Sequence, residues 1–233
     1  RIAALLAEDL QRKIEVIESP FLLDVDHLDD SVFQLYLAGR KYLLFFGSLC
    51  HIKGVNVIAA MIHRLLDRHR DIHFAFIGKE IPGQQGGALM DLLRRNAGEW
   101  SDRVLHISPL RHEQLYPIIQ GAHAVILPSR IDNFPNACIE AMAFGKVVIG
   151  TLGNGFEQLI HDGQSGFLCR VDDPDHLWEM TERMFCMTDE QRITMGKRAT
   201  ERINDLAPEK VGVELIRFYE WVIASVRGVS CAV

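Results

Sequence analysis

The sequence predicts an α/β protein: a doubly wound parallel sheet of about six strands, with extra helices at its C-terminal end. Three observations carry this. From Lys41 to Cys169, short apolar runs of strand length alternate with amphipathic segments of helix length, the rhythm of parallel strands joined by crossover helices. The runs are apolar enough to be covered on both faces, as strands of such sheets are. Beyond Asp173 the pattern is helical to the end. With 233 residues, 48% of them hydrophobic, the chain can bury one substantial core, or one large domain plus an appendage.

In order, Ile2, Leu5, Leu6, Leu10 and Ile14 fall at helical spacing over Ile2 to Val16, and Ser19-Pro20 ends that pattern. The acidic, poorly periodic stretch Phe21 to Asp30 resembles a linker. Tyr42 to Phe46 is a buried-type strand, Gly47 to Lys53 a loop, and Gly54 to Arg68 an amphipathic helix with Val55, Ile58, Met61, Ile62, Leu65 and Leu66 on one face. His73 to Gly78, Val104 to Ile107, Ala124 to Leu127, Val147 to Gly150 and Gly166 to Cys169 read as the further strands. Helices are expected at Gly86 to Ala97, Arg111 to Ile119, from Phe134-Pro135, and after the glycine-bearing turn at residues 153–155. Proline suits a first helical turn, where its missing N–H removes no bond, and Asp132 or Asn133 would cap it. Asp173-Pro174 opens a helix to about Met187, followed by helices at Asp189 to Ile203 and Pro208 to Val226. In the last, Val211, Leu215, Phe218, Trp221, Val222 and Val226 form an apolar stripe.

Composition excludes several classes. A net charge of −6 argues against a general nucleic-acid or anionic-membrane surface. The five cysteines are scattered, with no Cys-x-x-Cys or Cys/His metal spacing, which suits a reducing, cytoplasmic compartment. No apolar run approaches the roughly 18 residues of a membrane span, and no signal peptide is visible. The first residue is Arg1, so the chain is expected to start inside a longer protein.

Six strands in this rhythm suggest the order 3-2-1-4-5-6, Rossmann-like, with right-handed crossovers placing the first and fourth strands side by side where the winding reverses. Ligands bind outside the carboxyl ends of the strands at that point. The loops there are Gly47 to Gly54 and Pro128 to Pro135. A strand running into a helix start aims free amides and the positive dipole end at one spot, an anion site. Lys53 reads either as an ammonium facing a phosphate there or as a solvated lysine at a helix start; the paired loops favour phosphate. Arg130 is a second candidate cation or a surface residue. Asp132 caps the helix or accepts from sugar hydroxyls. Glu140, seven residues further, sits among Ala, Met and Cys; buried, it needs donors, which the vicinal hydroxyls of a ribose supply. Gly153-Asn154-Gly155 and Glu157 either close the far side or form an ordinary turn. His51, in the first loop, is a candidate donor contact. Asp172 to Asp175 spaces carboxylates like a metal motif, but Pro174 at a helix start favours capping.

Pro128-Ser129, Asp132 through Gly145, Val148 to Thr151, and Glu157 through Gly166 together resemble the retaining glycosyltransferases of family 4 (group 1), which have the two-domain GT-B fold. The resemblance covers Lys41 to Leu168 and corresponds to the C-terminal, nucleotide-sugar-binding half. It implies that Asp132 contacts the transferred hexose, that Glu140 holds the ribose, and that backbone around Phe134, Pro135 and Asn136 approaches the sugar and diphosphate. Lys53 matches the lysine of the Gly-Arg-x4-Lys-Gly motif and would bind the diphosphate. Gly78 and the stretch Ser108, Pro109, Leu110 would lie near the base. The motif's arginine is Ser48 here, so one diphosphate cation is missing unless Arg130 replaces it. Asp132 is one methylene shorter than the family's Glu.

The resemblance further implies transfer of a hexose from a nucleotide-diphosphate sugar with retained configuration, Asp132 and Lys53 being the catalytic pair. It implies no metal and no cofactor beyond the donor substrate. Residues 1–38 correspond to the end of an N-terminal acceptor domain and its linker, 39–207 to the donor domain, and 208–233 to a helix that returns to that N-terminal domain. Such a fragment is expected to bind nucleotide weakly and transfer nothing alone. Two other readings remain: a non-catalytic nucleotide- or sugar-binding module, and a GT-B-like epimerase or phosphorylase. The phosphorylase needs a cofactor-bearing lysine that no sequence context singles out.

Overall fold

In a computed structural model, residues 15–81 and 88–226 are described. The helix expected over Ile2 to Val16 lies outside them except for Glu15 and Val16, which carry no regular structure. The chain divides into two compact units: Leu23–Arg202, and a second unit described over 15–22 and 203–226.

The larger unit is a six-stranded, all-parallel sheet. Its strands are β1 (Lys41–Phe46), β2 (Ile72–Ile77), β3 (Val104–Ile107), β4 (Ala124–Ile126), β5 (Val148–Thr151) and β6 (Phe167–Cys169). Their order is β3-β2-β1-β4-β5-β6, as the sequence predicts. Leu43 stands beside Phe74 of β2 on one side and Ala124 of β4 on the other. Connections from β1 run to one edge and those from β4 to the other, so the winding reverses between them. Every β1 residue after Lys41 is buried, because helices cover both faces of the sheet. Each fully buried Leu or Phe there contributes about 1.5–3 kcal/mol.

The helices of this unit are α1 (Ser31–Tyr36), α2 (Val55–Arg68), α3 (Leu89–Ala97), α4 (His112–Gly121), α5 (Asn136–Ala143), α6 (Phe156–Leu159), α7 (Pro174–Phe185) and α8 (Asp189–Asn204), whose last two residues belong to the second unit. In α2 the expected apolar face is buried, while His63, Arg64, Asp67 and Arg68 face water. Helix α3 begins at Leu89 with Ala88 extended before it, its Met90 amide donating to the Glu80 carboxylate at 2.9 Å; Gly86, where the sequence reading starts this helix, lies outside the described residues. The sequence reading has no counterpart for α1, nor for two 3₁₀ turns, His51–Lys53 and Gly98–Arg103. Asp173 caps α7, accepting from the His176 amide at 2.8 Å with Pro174 following.

In the second unit, α9 (Pro208–Val226) has the expected bounds. Its Val211 is buried, while Ile216, Tyr219 and Ile223 are exposed. No described helix is long and apolar enough to cross a membrane.

Candidate active site

Three loops at the carboxyl ends of β1, β2 and β4 meet through their main chains. Past β1, the Gly47 amide donates to the Ile77 carbonyl and that of Leu49 to the Lys79 carbonyl, both at 2.9 Å. A Cβ on Gly78 would stand 1.8 Å from the Gly47 carbonyl oxygen, so no larger residue fits at this crossing. The chain then turns through His51–Lys53 into Gly54, which is left-handed at φ 72°. A Cβ on Gly54 would come within 1.9 Å of the Pro128 carbonyl oxygen. The Arg130 amide donates to the Ile52 carbonyl at 2.8 Å. Glycine at both positions is the condition for so close an approach.

The β4 loop is braced from β5. The Thr151 hydroxyl donates to the Ser129 carbonyl at 2.6 Å, and the Asn154 side-chain amide donates to the same carbonyl at 3.2 Å and to Thr151 Oγ1 at 2.8 Å. The Gly155 amide donates to the Asp132 carbonyl at 2.8 Å, and a Cβ on Gly155 would lie 1.9 Å from the Asn133 carbonyl oxygen. Held on both sides, the loop presents Asp132 to the first loop: Lys53 Nζ donates to Asp132 Oδ2 at 2.6 Å. The carboxylate is largely buried and the ammonium about one-third exposed.

Helix α5 starts one to two residues later than expected. Pro135 is the N-cap, with extended backbone (φ −73°, ψ 103°), and no side chain caps the helix. Asp132 does not serve because its carboxylate is turned to Lys53. The first amides bonded to the Pro135 carbonyl are those of Cys138 and Ile139. The amides of Asn136 and Ala137 precede them at the positive end of the helix dipole.

One turn into α5, Glu140 is buried, with 8% of its surface exposed. Burial pushes its carboxyl pKa up, and the nearby His112 opposes the shift. His112 Nε2 lies 3.4 Å from Glu140 Oε1. Its ring is exposed to water and stacked on Tyr116, centroids 5.3 Å apart. A carboxylate has about four acceptor positions, so one distant imidazole leaves most of Glu140's capacity for other donors.

The structure therefore pairs Lys53 with Asp132 just ahead of the start of α5, and sets Glu140 one turn into that helix beside His112. Pro135 is buried, Phe134 half-buried and Asn136 exposed at that start. Ser48 is half-buried in the first loop and His51 exposed in its turn; Gly78 is buried against Gly47. Ser108 and Pro109 are exposed and Leu110 half-buried in the loop from β3, which leads directly to His112. Glu157 is exposed on α6, while Asn154 and Gly155 brace the loop instead of lining a far wall. Arg130 is on the right loop, but its Nε donates to Asp172 Oδ1 at 2.6 Å. Among the described residues no group of three or more His, Cys, Asp or Glu could hold a metal ion.

Three roles escape the sequence reading. His112 and Asp172 lie 28 and 42 residues from the charges they meet, with no local pattern marking the pairing. Thr151 had a signal, a hydroxyl closing an apolar strand.

The profile of the family described as Glycosyl transferases group 1 matches residues 40–186, well over half the chain. A D-inositol 3-phosphate glycosyltransferase of Corynebacterium urealyticum is 27% identical over 182 residues, 77% of this chain and 42% of that protein. The chain thus spans about two-fifths of that relative's length. Among solved structures, Anabaena HepE in complex with UDP and glucose superposes with a TM-score of 0.72 at 18% identity, over 88% of this chain and 56% of that one. The C-terminal domain of a group 1 glycosyl transferase, LpcC of Francisella tularensis, gives a TM-score of 0.65 at 15% identity, over 77% of this chain and 94% of that one. These likenesses show a shared Rossmann-like fold of the kind found in GT-B glycosyltransferases. With the profile match, they establish that this chain belongs to the group 1 glycosyl transferases.

Proposed function

We propose that the chain is the donor-binding part of a retaining glycosyltransferase that moves a hexose from a nucleotide-diphosphate sugar to an acceptor. The observation that carries this is the Lys53–Asp132 pair ahead of a helix start that carries buried Glu140 one turn in, at the point where the winding reverses. An ammonium and two helix-start amides suit a diphosphate. A buried carboxylate one turn along suits the vicinal hydroxyls of a ribose. Asp132 would reach the hexose between them. Structures with UDP and with UDP-glucose are known for HepE, which shares this fold.

In the reaction we propose, the bond from the anomeric carbon to the diphosphate breaks, a bond to an acceptor oxygen forms on the same face, and the acceptor's proton leaves with the diphosphate. The chain's part is to orient the donor and to stabilise charge on the departing diphosphate through Lys53 and the amides of Asn136 and Ala137. This reading assigns that task to the protein and not to a metal. An N-terminal domain would carry the acceptor and α9 would return to it, so these 233 residues alone should bind donor and transfer nothing.

Thermal-shift and calorimetric titration with UDP-, GDP- and ADP-sugars tests the reading, since a ligand of the native state at 100 times its Kd adds about 2.7 kcal/mol of stability. One series should stabilise the protein, and Lys53→Ala should weaken it about tenfold. No stabilisation by any of the three, or indifference to Lys53→Ala, overturns the reading. Turnover by the chain alone overturns the division of labour.

A further inference from the structure

The charges at this site are closed on themselves. Asp132 already neutralises Lys53. A nucleotide sugar's diphosphate brings more than one negative charge to a spot where the lysine already has a partner. The next cation on the same loop is Arg130. Its amide is fastened to the Ile52 carbonyl, which sets its backbone beside the turn that carries Lys53. Its guanidinium is drawn off to Asp172 in the β6–α7 loop. Both members of that pair are more than 40% exposed, and exposed pairs of this kind contribute little and exchange readily. A phosphate offers a guanidinium charge and paired acceptors in return.

We propose that Arg130 is a second ligand of the donor's diphosphate and that Asp172 holds it in reserve, so that donor binding exchanges the Arg130–Asp172 pair for an Arg130–phosphate one. Asp172 is then a positioning residue that sets donor affinity through Arg130, linking the β6–α7 loop to the occupied state. The proposal rests on the nucleotide-sugar reading above. Asp172 is the one non-glycine with positive φ, 55°, among the described residues. Asparagine tolerates that conformation as aspartate does, so Asp172→Asn removes the charge and leaves the backbone as it is.

The experiment titrates UDP, GDP and ADP, each beside its nucleoside, into the protein and into Asp172→Asn, Arg130→Gln, Lys53→Ala and the Asp172→Asn/Arg130→Gln double variant. Thermal unfolding without ligand confirms that each is folded. For the diphosphate that binds, Asp172→Asn should tighten affinity about threefold and Arg130→Gln weaken it about tenfold. Nucleoside affinity should stay unchanged in both. The double variant should match Arg130→Gln alone, because Asp172 acts only through Arg130. Unchanged or weaker diphosphate binding by Asp172→Asn, or an equal effect on nucleoside and diphosphate, overturns the exchange while a Lys53→Ala loss keeps the donor reading intact. If no diphosphate binds the unaltered protein, both fall together.

Discussion

Two buried charges stand at opposite ends of the sheet and are treated in opposite ways. Arg103, at the amino ends of β2 and β3, is 7% exposed and donates to the carbonyls of Leu66, His69 and Ile72 at 2.6–3.2 Å. Its guanidinium also lies 4.4 Å from the centroid of the Trp100 ring. Glu140, at the carboxyl end of β4, is buried to the same degree but has an exposed imidazole 3.4 Å away. One charge is closed by main chain that cannot leave. The other keeps most of its acceptor capacity unused. A saturated buried charge is a structural fastening; an under-saturated one is, on the donor-binding reading proposed above, a site held at a cost in stability.

The largest expected effect is at the saturated end. Arg103→Leu takes a donor from three carbonyls, of which that of His69 keeps the Ile72 amide at 3.1 Å, and should cost about 3 kcal/mol or more in urea unfolding. Nucleotide-sugar affinity of the folded molecules should not change, because Arg103 bonds to main chain at the far end of the sheet from the site. An affinity loss as large as the stability loss would break the division between the two ends.

Next comes the scaffold of the under-saturated end. Gly155→Ala places a methyl 1.9 Å from the Asn133 carbonyl oxygen, which cannot stand, so the Asp132–Asn133 segment must shift. Overpacking of this kind costs about 1–3 kcal/mol. Here donor affinity should fall further than stability does, since the shifted segment carries the partner of Lys53. Paired urea and calorimetric measurements check this, and equal losses would mean that Gly155 is only a fold residue.

The same contrast decides what was legible in the sequence. Strands and their order were readable because burial on both faces writes itself as runs such as residues 42–46, and the winding rule does the rest. The placing of Lys53, Asp132 and Glu140 on these loops and this helix was readable because each sits at a fixed offset from a strand end or helix start. Arg103 was not, as nothing local shows that a charged residue before β3 will find the carbonyls that end α2 and begin β2. The start of α5 was misplaced because Pro135 can occupy either the N-cap or the first turn, and Asp132 was free to cap until the fold gave it Lys53. Helix α1 left no trace because its six residues bury nothing completely.

The smallest effect is the most pointed. Glu140→Gln keeps the size of the side chain and removes the charge that burial opposes. Because burial raises the folded-state pKa of Glu140, the folded protein holds this proton more tightly than the unfolded chain. Its contribution to stability is therefore full below the ordinary glutamate range, about pH 4, and is lost as pH rises through the folded pKa. The unaltered protein carries the cost of the ionised carboxylate at neutral pH, and the glutamine variant does not. Removing a charge kept for binding typically returns about 1 kcal/mol, or a rise of about 2–4 °C in Tm for a domain of this size. The gain should vanish as the pH falls to about 4, where both side chains are neutral. It should also come with loss of nucleotide binding, since glutamine replaces one acceptor oxygen with a donor facing the ribose diol. Melting curves at about pH 4 and about pH 7.5, with and without donor, read both. A Glu140→Gln variant less stable than the unaltered protein at neutral pH would show that Glu140 is as fully satisfied as Arg103, and the contrast between the two ends would be gone.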